Sequence, residues 1–324
     1  MRCNQKSCDL ESGHLALSLG LQDLIQQKLD GIFEIDPRCR RQWGFRLARL
    51  QSSFNPYGHL IAKDIEDAAA ITLQSNLKKH NPLVLELSGG IGDQLETLSL
   101  VLPWTKRFGL ALKVIVEPSR LSLISALHLK DVVVESASEV PIVSQSMVIR
   151  HAILNHSPNS CFKSFLQLAI KDTPKRTGIV CCWRAEGRGN KLSAHSRSVP
   201  FPLVHAFYCK SQAQTPEETI FDISRWKPWE ENILKNMGIR LIDPRNRSLI
   251  DLAELCQGRR VITIDTALAH LCSACSIPAE LLLPLFADER WVELLQPKQS
   301  YGKWLKVRKS NQFGAWDSVM ESLI

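Results

Sequence analysis

Leu83 to Trp104 reads LVLELSGGIGDQLETLSLVLPW: an apolar run passes through Gly89, Gly90 and Gly92 into a helical repeat of Leu95, Leu98 and Val101 or Leu102. A short apolar run bounded by glycine fits a strand buried on both faces, and the spacing after it predicts a helix. Glycines at a strand-to-helix turn allow positive φ and let a ligand approach backbone N–H groups, while the helix N-terminus favours an anion. A tight turn with no ligand is the alternative reading. Asp93 opens the helix, where capping alone accounts for a carboxylate. At the mouth of a cleft it is equally placed as a general base.

The same alternation continues on both sides of the turn. LKVIVE, DVVVES and MVIRHAIL follow as strand-like runs, and TGIVCCW, ETIFDIS, GIRLID, RRVITID and AELLLPL form a second series. Continuous apolar strands alternating with helices indicate parallel sheets covered on both faces. Between the series, Asp172 to Gly178 (DTPKRTG) is polar, with Pro and Gly, and suits a linker. Ahead of Pro82 the pattern is helical: Ile61, Ile65, Ala68, Ala69, Thr72 and Leu73 recur at helical spacing, and Asp36-Pro37 is a helix-start signal before Trp43, Leu47 and Leu50. The expected fold class is therefore α/β, with two Rossmann-like parallel-sheet domains facing a cleft. A helical segment at 1–80 precedes domains at 81–172 and 173–324. About two 34-residue repeats would fit in that segment, fewer than a stable array needs, so it reads as a helical cap.

The second informative stretch is RRVITIDTALAHLCSACSIP (259–278), a strand running into Asp265-Thr266 and then a helix that carries His270. Ligands of open α/β sheets bind at the carboxyl ends of the strands, and a helix N-terminus there would hold a diphosphate. His270 lies one turn beyond Thr266, on the same side of the helix. A lone histidine on a helix also reads as a packed residue. The loop from Arg184 to Ser198 belongs to a stretch, Thr173 to Val199, with Lys175, Arg176, Arg184, Arg188, Lys191 and Arg197 against Glu186 alone. Most of the chain's net charge of +7 is therefore local, which favours a phosphate-bearing small ligand over a long nucleic-acid track. A solvated loop is the plainer alternative.

Other classes fit less well. With 44% hydrophobic and 23% charged residues in 324, the composition is that of a globular protein large enough for two cores. The most apolar stretch, Ala279 to Ala287, is too short to span a membrane and is broken by Glu280 and Pro284. The apolar run Leu15 to Leu21 lacks the cleavage site of a secretory signal, so the chain is expected in the cytoplasm. Its ten cysteines, among them Cys181, Cys182 and Cys209, lie mostly in apolar runs and read as buried thiols. Cys272-x-x-Cys275 has no second pair at zinc spacing. A dinucleotide site would need a third glycine where Leu95 stands, and would use Glu117 only at a loose distance. Nucleic acid is disfavoured by the lack of interleaved aromatic and basic residues.

The GGIGD turn, the Arg197-Ser198-Val-Pro step after the basic loop and the DTALAHL helix together resemble inverting glycosyltransferases of the GT-B fold. The resemblance is to ADP-heptose:lipopolysaccharide heptosyltransferases and to the glycosyltransferases that follow tetratricopeptide repeats in bacterial proteins, and it covers residues 82–324. It implies metal-independent, inverting transfer of a sugar from a nucleotide-diphosphate donor to an acceptor hydroxyl, in surface glycan or lipopolysaccharide assembly. No cofactor is implied. The acceptor would be a glycan, a lipid-linked glycan or a protein, and peripheral membrane association is compatible with it. Asp93 matches the acid proposed as base. Gly89, Gly90 and Gly92 match the turn beside it, and Asp265, Thr266, Ala267 and His270 match the donor diphosphate site. Arg197 and Ser198 match the Arg-Ser step, and Lys191 would add charge to the departing diphosphate. In that fold the last helix crosses back towards the first domain.

Three departures stand out. Ala267 replaces a glycine of the heptosyltransferases, and Ser276-Ile-Pro-Ala279 replaces Gly-x-Pro-Val. YCKSQAQTPEET (208–219) stands where relatives run from a strand into Ser-Leu-Gln, which touches a nucleotide contact. The alternative they raise is a catalytically degenerate sugar-binding or scaffold protein.

Overall fold

A computed structural model of the protein describes residues 82–87, 90–137, 165–166, 176–186, 197–285, 287, 291, 303–312 and 315–323. The expected N-terminal helices, the strand in MVIRHAIL, Gly89, Lys191 and most of the basic loop lie outside the described residues. The chain divides into two compact units, with described residues of one within 82–166 and at 291 and 303, and those of the other within 176–287 and 304–323.

In the first unit β1 (Leu83–Glu86), β2 (Leu112–Val116) and β3 (Val132–Ser136) form a parallel sheet in the order β1-β2-β3. Helix α1 (Ile91–Arg107) joins β1 to β2, and α2 (Pro118–Ser125) joins β2 to β3. The face of α1 with Leu95, Leu98 and Val101 is fully buried, as its spacing predicts.

The second unit holds six parallel strands: β4 (Ile179–Cys182), β5 (Ile220–Asp222), β6 (Arg240–Leu241), β7 (Arg260–Ile264), β8 (Ala279–Leu283) and β9 (Leu305–Lys309). Their order is β6-β5-β4-β7-β8-β9, so chain order reverses between β4 and β7. This is the doubly wound order, whose ligand crevice lies at the reversal. The connecting helices are α3 (Phe201–Gln214), α4 (Pro228–Asn236), α5 (Leu249–Cys256) and α6 (Ala267–Cys275). The fold class expected from the sequence, two Rossmann-like parallel sheets, is the one observed.

Central β4 is buried at every residue, because helices and neighbouring strands cover all sides of a central parallel strand. Its core continues through Trp183, Val204, Phe207, Tyr208 and Ile262. The closing helix α7 (Trp316–Glu321), expected to run back towards the first domain, contributes Trp316, Val319 and Met320 to this core. Buried cysteines at 181, 182, 256, 272 and 275 fill core positions, but Cys209 is exposed, because α3 turns that face to solvent.

Candidate functional site

At the reversal point β7 ends in Ile264, and Asp265-Thr266 leads directly into α6. Thr266 is the N-cap, with extended backbone at φ −143° and ψ 175°, yet its side chain does not cap the helix. Instead Thr266 Oγ1 lies 3.2 Å from Thr263 Oγ1 and 3.6 Å from Cys182 Sγ at the end of β4. The hydroxyl thereby ties the two strands at the reversal. The first N–H groups of α6 are left without side-chain capping, and such groups attract anions.

A carboxylate beside that helix end would repel a diphosphate unless neutralised. Asp265 has one oxygen paired with a guanidinium and the other facing an imidazole. Arg197 Nη1 donates to Asp265 Oδ2 at 3.1 Å and to its carbonyl at 2.8 Å, while His270 Nε2 lies 4.0 Å from Oδ1. Asp265 is 8% exposed and His270 3%, so both act through a partly desolvated cluster. Ser198 Oγ accepts from the Ala185 N–H at 3.1 Å, and the Val199 N–H donates to the Trp183 carbonyl at 2.9 Å. The Arg-Ser-Val step is thus sewn to the exit of β4, and this holds Arg197 against Asp265. The structure brings together Arg197, Asp265, Thr266, Ala267 and His270, with Ser198 supporting them.

Asp93, Gly90 and Gly92 lie in the other unit, at the start of α1. Asp93 Oδ2 accepts from the Gly90 N–H at 3.0 Å, so the carboxylate caps its own helix as the capping reading expects. Gly90 has φ −68° and ψ 159°, a conformation open to any residue, and Gly92 is in the first helical turn. The positive φ expected of these glycines is therefore not used at either. At Gly90 a Cβ would lie 3.3 Å from Asp93 Oδ2, a tight contact that falls on the carboxylate capping the helix.

Residues 208–219, where the sequence departs from its relatives, end a helix and lead into the amino-terminal end of a strand: Tyr208 to Gln214 completes α3, and Thr215 to Thr219 precedes β5. The strand-end loop beside the candidate site is the one after β5, Ile223 to Lys227, which no motif had marked. Trp226 Nε1 in that loop donates to Asp222 Oδ2 at 2.9 Å, and the Arg184 guanidinium sits 4.3 Å from the Trp226 ring centre. Arg184 also pairs with Glu230 Oε1 on α4 at 2.7 Å. Asp222 itself is fully buried. Its carboxylate accepts from Tyr208 Oη at 2.7 Å and from the Ser224 N–H at 2.7 Å. Tyr208 Oη in turn accepts from Trp183 Nε1 at 2.6 Å. Burial raises the Asp222 carboxyl to about 6 against these hydrogen bonds. The only sequence signal for this network is an acid ending a fully apolar strand.

Both thiols of Cys272-x-x-Cys275 are buried within α6, and burial pushes Cys275 up to about 12. Among the described residues no helix is long and apolar enough to cross a membrane.

No family model matches the chain, and no curated protein does. Solved structures do match. E. coli heptosyltransferase WaaC with ADP is similar with a TM-score of 0.51 at 13% identity, over 74% of this chain and 98% of that one. The structure of E. coli ADP-heptose lps heptosyltransferase II is similar with a TM-score of 0.51 at 12% identity, over 75% of this chain and 97% of that one. The fold is that of the GT-B heptosyltransferases.

Proposed function

We propose that the protein is an inverting, metal-independent glycosyltransferase that moves a sugar from a nucleotide diphosphate to an acceptor hydroxyl, acting in the cytoplasm on a surface glycan or lipopolysaccharide precursor. The observation that carries this reading is the uncapped N-terminus of α6, at the reversal of strand order, with Asp265 paired to Arg197 and His270 beside it. The α6 N–H groups, with Arg197 and the His270 ring, would bind the diphosphate and stabilise the charge that grows on it as the glycosidic bond breaks. Asp93 would accept the acceptor's proton as its oxygen attacks the anomeric carbon from the opposite face. Lys191 would add a further charge. The matched solved structures are described with ADP and as an ADP-heptose transferase, which makes ADP-heptose the first donor to test.

The test is thermal unfolding of the full chain with ADP-heptose, against UDP-, GDP- and dTDP-sugars and with NADH as control. A ligand at a hundredfold over its Kd adds about 2.7 kcal/mol, a rise of several degrees. One nucleotide family should give that rise, and Ala267→Asp should sharply reduce it. Aspartate in the first turn suits the helix dipole, so this variant folds while its carboxylate repels the diphosphate. No rise with any nucleotide sugar, or a rise with NADH alone, would overturn the reading.

A further inference from the structure

A second basic cluster lies away from the reversal point, at the β6 edge of the six-stranded sheet. A groove of about 510 Å³ runs there between α5 and the sheet edge, and Arg176, Arg240, Arg247 and Arg259 all line it. Three of them enter from the amino-terminal ends of the strands: Arg176 precedes β4, Arg240 begins β6 and Arg259 precedes β7. Asp265 and Thr266 stand at the other end of β7. That strand has five residues, so the two places are separated by roughly 17 Å of sheet at about 3.3 Å per residue.

The arginines are held in different ways. Arg176 Nη1 donates to the Glu254 carbonyl at 2.6 Å and Arg259 Nη1 to the Leu255 carbonyl at 2.6 Å, both at the carboxyl end of α5. The Phe221 ring lies beneath two guanidinium groups, 4.9 Å from Arg259 and 5.6 Å from Arg240, a cation–π arrangement that fixes their approach. Among the described residues, the guanidinium groups of Arg240 and Arg247 make no hydrogen bond or ion pair, whereas the Arg247 backbone N–H donates to the Pro244 carbonyl at 3.4 Å. Two acids share the groove. Asp251 accepts from the Ser248 N–H at 3.0 Å as the cap of α5 and lies in the field of Arg247, and Glu254 is the other counter-charge, so two carboxylates face four arginines. Burial and then the charge of Arg176 lower Arg259 from its ordinary value. Like charges are thus held together around a space that a bound anion would relieve. The groove wall is apolar, with Ile242, Leu252 and Leu255.

We infer that this groove is a second anion site, for an organic phosphate whose phosphates meet Arg240 and Arg247 and whose body lies along Ile242, Leu252 and Leu255. Paired guanidinium groups recognise phosphate oxygens through forked hydrogen bonds, and the volume leaves room for a body beyond the phosphates. The site is independent of the donor site proposed above.

Calorimetric titration of the full chain tests this, with ADP and inorganic pyrophosphate as probes. ADP would also enter the donor site, so the measurement is made in Ala267→Asp as well as in the unchanged protein. ADP should still bind to Ala267→Asp, more tightly than pyrophosphate. Adding Arg240→Ala and Arg247→Ala should weaken it at least tenfold. Both arginines are exposed, so their loss should leave the thermal midpoint in place. If Ala267→Asp abolishes ADP binding entirely, or if the arginine changes alter the remaining affinity less than twofold, the inference is overturned. Equal affinity for ADP and pyrophosphate would overturn the assignment of an organic body to the apolar wall. If binding in the unchanged protein ignores Ala267→Asp but is lost with the arginines, the groove stands and the donor reading fails.

Discussion

Asp222 shows how one residue sets conditions for the ground around the candidate site. It ends β5 fully buried, with Tyr208, Trp226 and the Ser224 N–H all donating to it. Ser224 Oγ also accepts from the Trp183 N–H at 2.7 Å, so the carboxylate organises the ends of both β4 and β5. Burial outweighs these bonds and raises its pKa to about 6 from the 3.8 of a free carboxyl. Protonated Asp222 is therefore favoured in the folded state, and its contribution to stability is complete below about pH 4. That contribution is lost as pH rises through about 6, and at 1.36 kcal/mol per pK unit amounts to about 3 kcal/mol. Asp222→Asn removes the titration and turns an amide N–H₂ towards one of the three donors, a mismatch worth about 1–3 kcal/mol. Denaturant unfolding of both proteins between pH 4 and 7 should show the unchanged protein losing stability relative to Asp222→Asn. Parallel curves would place the titration elsewhere.

Among elements, β4 carries the largest share of the geometry, since it pairs with β5 on one side and β7 on the other. Its entry depends on Gly178, at φ +120°, where a Cβ would stand 2.6 Å from the Thr219 carbonyl oxygen. That same oxygen accepts from the Ile179 N–H at 3.0 Å. Gly178→Ala would therefore both strain the backbone and push β5 from β4, at a cost of about 2–4 kcal/mol. The expected reading is a lower midpoint in denaturant together with weakened donor-induced stabilisation; an unchanged midpoint would show that the strand entry adjusts freely. Elements like β4 were legible in the sequence because central parallel strands are continuous apolar runs. LKVRK at 305–309 was not, although it forms β9 beside β8. An edge strand carries charge on its open side, and here that charge is functional in the sheet: Glu280 on β8 accepts from Arg260 Nε at 2.8 Å and Arg308 Nε at 2.6 Å. The α6 cluster was legible because strand, Asp-Thr and histidine are contiguous in sequence. Arg197 needed the resemblance as well, and the Asp222 network joins residues as far apart as Trp183 and Trp226, with no local pattern to mark it.

For the whole molecule, the two compact units divide the chemistry under the proposed function, since Asp93 belongs to one and the α6 cluster to the other. Within the unit that holds the α6 cluster the basic surplus is itself divided, because its arginines serve different ends. Arg197 neutralises Asp265, Arg184 packs on Trp226, and Arg176 and Arg259 turn towards the groove beside α5. Separation of labour predicts separation of kinetic effect. Asp93→Asn keeps the shape of the helix start and removes the base, so it should lower kcat by about a hundredfold or more with donor affinity within about twofold. Ala267→Asp leaves Asp93 in place and should raise the donor KM or Kd by about tenfold or more through charge repulsion. Steady-state transfer from the nucleotide sugar identified by thermal unfolding, measured beside equilibrium donor binding, checks both. Normal transfer by Asp93→Asn would remove Asp93 from the chemistry and leave it a structural role at the start of α1. Equal loss of binding in both variants would mean that the start of α1 holds donor instead of activating the acceptor.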